Sequence, residues 1–190
     1  LITSLILKDL NKKNFSLIYF YERRIRRILP ALFIVFIFIS IFAFLFLTRS
    51  ELSNYFKSLI SSLFFVSNFY FWKSSPYFAS TADQQALLHT WSLSIEEQFY
   101  IFFPLILIFT YRFFKKKRWV IIFLGTFFSL LICQFAALKT GGNLNFYFTM
   151  TRAWELGLGA LTAYYLFYKK TIIIKSNQNL YSAIGLFLIL

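Results

Sequence analysis

Acidic residues are scarce: seven Asp and Glu stand against twenty Lys and Arg in 190 residues, a net charge of +13. Cysteine occurs once, as Cys133 in an apolar run, which excludes an internal disulfide. Histidine also occurs once, at His89. No zinc-ligand spacing, glycine-rich phosphate loop or glycine-x-serine-x-glycine elbow is present, so no metal is expected. Charge of either sign makes up only 14% of the chain, whereas 59% is hydrophobic, with 28 Phe and a mean hydropathy of +0.66. A soluble domain of this size cannot hide so much apolar surface. A bilayer is the natural solvent. In a soluble protein the basic excess would point to nucleic acid. Here the basic residues sit in clusters between apolar runs, so they read as membrane-orientation signals and no nucleic-acid partner is expected.

The runs divide the chain. Leu1–Leu7 reads as the tail of a span, and Leu180–Leu190 as a span that has only begun. The chain is therefore expected to be an internal fragment. Lys8–Arg27 is polar, and Ile18–Arg27 reads as an interfacial helix with an arginine face. Ile28–Thr48 has no charge across 21 residues and is the clearest crossing, with Pro30 at its entrance. Ser58–Trp72 is charge-free but carries Ser61, Ser62, Ser67 and Asn68, and Lys73–Leu87 reads as a loop. Ser94–Tyr111 is predicted as a helix kinked by Pro104. Trp119–Leu138 is a second clean span. Lys139–Thr151 is a loop with Gly141-Gly142. Arg152–Tyr168 is a shorter helix with a small-residue stripe, Ala153, Gly157 and Ala160. The fold class is all-α, a polytopic membrane bundle with four to six membrane segments in this piece. If Ser58–Trp72 does not cross, fifteen basic residues fall on one side and five on the other; if it crosses, the split is even. The positive-inside rule favours the first arrangement, with Arg23–Arg27 and Arg112–Arg118 cytoplasmic. Ser58–Leu87 is then expected to dip in and return, or to lie on the outer side.

The stretch Leu88-His89-Thr90-Trp91-Ser92-Leu93-Ser94-Ile95-Glu96-Glu97-Gln98-Phe99-Tyr100 puts two adjacent carboxylates at the mouth of an apolar run, where charge is expensive. Ser94 and Glu97 fit a capping box, as N-cap and N3, which would explain one Glu. Glu96 would then be free to act elsewhere. Arg23, Arg24, Arg26 and Arg27 form two overlapping Arg-x-x-Arg pairs, each on one helix face. They suit a phosphate clamp, or a topology anchor beside anionic lipid. Arg152 and Glu155, at i and i+3, can pair with each other. Trp91 and Trp154 fit an interfacial belt or a platform for sugar or acyl groups, belt being the default.

Leu88–Tyr100 resembles the signature of the membrane-bound acyltransferase 3 family, close to the bacterial O-antigen and peptidoglycan O-acetyltransferases. Tyr21-Glu22-Arg23-Arg24-Ile25-Arg26-Arg27-Ile28-Leu29-Pro30-Ala31-Leu32 resembles that family's cytoplasmic arginine motif. Phe146-Tyr147 and Thr151-Arg152-Ala153-Trp154-Glu155-Leu156-Gly157 resemble its later segment. The resemblance implies a multi-pass enzyme of the bacterial inner membrane. It would move an acyl group, acetyl first among them, from cytoplasmic acyl-CoA to a hydroxyl of a surface glycan or its lipid-linked precursor. Acyl-CoA is then a co-substrate, with no cofactor bound, and the bilayer and glycan acceptor are the partners. It also implies phosphate binding at Arg23, Arg24, Arg26 and Arg27, supporting roles for Glu96 and Glu97, and substrate contacts at Trp91, Arg152 and Glu155. The family's catalytic histidine belongs to a first span that this piece, expected to be a partial domain over residues 1–190, does not contain. His89 is therefore expected to serve structure. The rival reading is a non-enzymatic transporter subunit for a glycan or lipid, with intramembrane Glu and Arg lining its path.

Overall fold

The structure, a computed structural model, describes residues 2–12, 14–74, 85–114, 117–140 and 143–169. The expected span at Leu180–Leu190 and the Gly141-Gly142 pair lie outside the described residues. Eight helices follow one another among those described: α1 Ile2–Asn11, α2 Leu17–Phe46, α3 Arg49–Leu63, α4 Ser67–Ser74, α5 Thr90–Phe113, α6 Arg118–Thr140, α7 Asn143–Tyr147 and α8 Thr149–Lys169. No strand occurs among the described residues. Three of the helices, α2, α5 and α6, are long and apolar enough to cross a membrane. The all-α membrane bundle expected from the sequence is the fold observed.

α2 corrects one expectation. The arginine-rich segment and the apolar run form a single helix of 30 residues, with Pro30 inside it rather than at its start. Ser16 caps it, accepting a bond from the Tyr19 N–H. The arginines therefore sit on the first turns of a rigid rod. Beyond Pro30 most of this rod is apolar and exposed, as at Phe33, Ile37, Phe38, Ile41 and Phe44, the surface that lipid would cover.

α3 and α4 explain the polar serines of Ser58–Trp72. A 15-residue and an 8-residue helix are both too short to cross. They are separated at Phe65, whose φ of 54° breaks the helical run. Backbone freed at such a break must find partners within the protein. It does: Gln98 donates from Nε2 to the Phe65 carbonyl at 2.8 Å and to Asn68 Oδ1 at 2.9 Å, and the Asn68 amide donates to the Tyr147 carbonyl at 3.0 Å. Thr149 bonds Gln98 from the other side. Ser62, Thr90, Ser67 and Ser94 link hydroxyl to hydroxyl beside them.

Two apolar clusters hold the elements. One joins Leu32, Phe36 and Ala43 of α2 to Tyr55, Phe71, Trp91, Ile95 and Tyr147. The other joins Ile6 and Leu10 of α1 to Phe20, Phe103, Leu107, Ile122 and Ala160. α8 lies along α6, and the small-residue stripe works as read: a Cβ added at Gly157 would run into Thr126 Oγ1.

Candidate functional site

α2 and α5 run antiparallel where they meet. Tyr21 Oη donates to the Ile101 carbonyl at 2.8 Å, and Arg24 meets Glu97 one turn further along each helix. Arg24 Nη2 lies 2.6 Å from Glu97 Oε1, and its Nε 3.4 Å from Oε2. The two side chains are only 19% and 10% exposed, so this is a forked, mostly desolvated ion pair. The Tyr100 ring backs the guanidinium at 3.7 Å.

This contact corrects the capping reading of Glu97. α5 begins a turn earlier than expected, at Thr90, with His89 at the N-cap position and no bond from its side chain. Ser94 is inside the helix, bonded to Ser67 Oγ and the Thr90 carbonyl. Glu97 is thus on the second turn, and its carboxylate answers a guanidinium from another helix. A cap contact of the Thr-x-x-Glu type does exist, at Thr48 and Glu51, where the carboxylate accepts from the Thr48 N–H at 2.8 Å and its hydroxyl at 2.7 Å.

Around the ion pair lies a cavity of about 680 Å³ walled by α1, α2, α5 and α8. Arg23, Arg24 and Arg27 line it from α2, Glu96 and Glu97 from α5, Glu155 from α8 and Asp9 from α1. Six of the nine residues singled out by sequence meet in one space. Their states differ. Arg23 is 3.8 Å from Asp9 and lies over the Tyr19 ring at 4.4 Å. Arg27 and Glu96 make no ion pair or hydrogen bond with the described residues, so both are available to a ligand. Arg26 does not join them: it faces out and pairs with Glu22 at 2.8 Å.

Trp91, Arg152 and Glu155 form an adjoining group. Arg152 pairs with Glu155 at 2.8 Å, and its guanidinium lies 5.2 Å from the Trp91 ring centre. Trp91 is 7% exposed and packs on Phe146 at 4.2 Å. It is part of the bundle interior, not of an interfacial belt. Of this group only Glu155 lines the cavity; Arg152 and Trp91 stand behind it.

Sequence reasoning did not assign roles to Asp9, Asn68, Gln98 and Tyr100. Asn68 carried a signal, an amide in a charge-free, largely apolar run, and Gln98 stood beside two carboxylates at the mouth of another, but the partner of each was legible only in three dimensions. The arginine clusters also differ in level. Arg24 stands beside Glu97, and Arg112 lies about 22 Å further along the α5 axis at 1.5 Å per residue.

The acyltransferase 3 family, described as an acyltransferase domain, matches residues 1–190. The chain belongs to this family. Among its relatives is an uncharacterized protein of Haemophilus influenzae, 36% identical over 171 residues, which covers 87% of this chain and 70% of the relative. Another is the O-acetyltransferase OatA of Staphylococcus aureus, 32% identical over 168 residues, covering 86% of this chain and 28% of that protein. The chain thus spans little more than a quarter of the length of that relative. No solved structure matches it. Family membership and helix composition together make it a membrane acyltransferase domain.

Proposed function

We propose that this domain moves an acyl group, acetyl as in the name of its Staphylococcus relative, from acyl-CoA on the cytoplasmic side of the bacterial inner membrane to a hydroxyl of a surface glycan or its lipid-linked precursor. The observation that carries this reading is the shared cavity, lined by both Arg27 and Glu96, neither of which is paired among the described residues. Arg27, helped by Arg23 four residues before it on the same helix face, meets the phosphates of CoA, for which a guanidinium fork is suited. Arg24 is committed to Glu97 and fixes the cavity wall instead. Glu155, held by Arg152 over the buried Trp91 ring, faces the acceptor.

The chemistry balances simply. The acceptor hydroxyl oxygen bonds to the acyl carbon, the carbon–sulfur bond breaks, and the CoA thiolate leaves. A base takes the hydroxyl proton and returns it to sulfur. By the family resemblance that base is a histidine. Glu96 supports the base or orients the hydroxyl. Deleting the gene and measuring alkali-labile ester on the surface glycans tests the reading. Loss of ester, restored by the full-length gene, is expected; unchanged ester content would refute it.

A further inference from the structure

A second cavity, of about 740 Å³, opens between α6 and α8 and has no part in the site above. Its walls include Trp119, Phe123, Leu161, Tyr164, Tyr165 and Leu166. Phe127 and Phe128, further along α6, are exposed, so this side of the bundle carries the apolar surface that faces lipid. At the end of the groove Arg118 donates from Nη1 to Tyr168 Oη at 3.0 Å and lies 4.1 Å from the Tyr111 ring centre. Its Nε is buried and has no hydrogen-bond partner among the described residues. A buried donor of a charged group without a partner is costly, and a phosphate oxygen would satisfy it. Arg112–Arg118 holds five basic residues and no acidic one. The Trp and Tyr residues of the groove have the amphipathic rings that settle at a membrane–water boundary. Basic pockets between membrane helices suit anionic lipid headgroups.

We propose that this groove holds one anionic phospholipid, its phosphate on Arg118 and an acyl chain laid along Phe123 and Leu161. The charge of the basic run selects a net-negative headgroup over a zwitterionic one. This site is independent of the acyl-transfer reading.

The test is native mass spectrometry of the delipidated full-length protein in detergent. It is titrated with phosphatidylglycerol or with phosphatidylcholine of the same chains. Wild type should form a saturable one-to-one adduct with phosphatidylglycerol, at least tenfold tighter than with phosphatidylcholine. Arg118→Gln should weaken phosphatidylglycerol roughly tenfold or more, the scale of a charge-assisted bond, and Arg118→Lys should weaken it less. Thr162→Trp should also displace the lipid, because Thr162 lines the groove from an exposed position and an indole there fills it without disturbing packing. Arg26→Gln, which removes an exposed arginine on α2, should change nothing. The proposal is overturned by equal affinity for the two lipids, by unchanged binding in either Arg118→Gln or Thr162→Trp, or by a wild-type protein that forms no one-to-one adduct.

Discussion

Glu97→Gln separates a lock from a cap. Gln fits the N3 position of a capping box, so a capping Glu97 would tolerate the change almost without cost. In the structure Glu97 neutralises Arg24 across 73 residues of sequence, in a pair whose side chains are 19% and 10% exposed. Removing one partner of a buried pair costs about 3–5 kcal/mol, because the other charge is left desolvated. Arg24 keeps some exposure and keeps the Tyr100 ring at 3.7 Å, so the low end of that range applies. We expect about 3 kcal/mol for Glu97→Gln and for Arg24→Met. The double variant Arg24→Met/Glu97→Leu should cost no more than either single change, since no charge remains to be stranded. Reversible unfolding of the full-length protein in mixed micelles gives all four corners of the cycle. Additivity within about 0.5 kcal/mol would mean the two residues do not interact, and the reasoning would fail.

Three further outcomes are expected. Gly157→Ala should loosen α8 from α6 at a cost of about 1–3 kcal/mol, the scale of overpacking, and Thr126→Ala in the same chain should recover most of it, as read by thermal unfolding. Bonds from the Thr48 hydroxyl and then the Thr48 backbone N–H hold the Glu51 carboxyl below the ordinary glutamate range. A lowered carboxyl contributes stability at pH above its unfolded value and loses it as pH falls through its folded value, so amide protection factors at the start of α3, which take out the intrinsic pH dependence of exchange, should fall below about pH 4, and Glu51→Gln should abolish that dependence. Glu96→Gln should leave unfolding unchanged, since Glu96 has no partner among the described residues, but lower ester formation by roughly 10²-fold, the scale of a positioned acid or base; near wild-type activity would remove Glu96 from the site.

Long charge-free runs announced α2, α5 and α6, because a lipid-facing helix needs little more than length and apolarity. That Ser58–Trp72 is not one plain apolar helix was also legible, since its serines and Asn68 required partners no lipid supplies; the position of the break at Phe65 was not, because it depends on Gln98 from another helix. Local spacing misled at Ser94 and Glu97, where a capping signature and a tertiary ion pair place the same residue types in the same sequence. The same signature at Thr48 and Glu51 was equally readable and is where a cap contact forms. The four arginines could not be told apart in sequence. Their helical phase sends Arg26 outward, while Arg23, Arg24 and Arg27 reach the cavity, and the facing Glu97 and Asp9 decide which of these are occupied.

The cavity's role as donor site is tested most directly by acetyl-CoA affinity of the purified full-length protein, measured by calorimetry for wild type, Arg27→Ala and Arg26→Ala. The account predicts that Arg27→Ala weakens binding by roughly tenfold or more, one lost charge-assisted contact to phosphate, while Arg26→Ala binds as wild type. Equal affinity in all three proteins would contradict it.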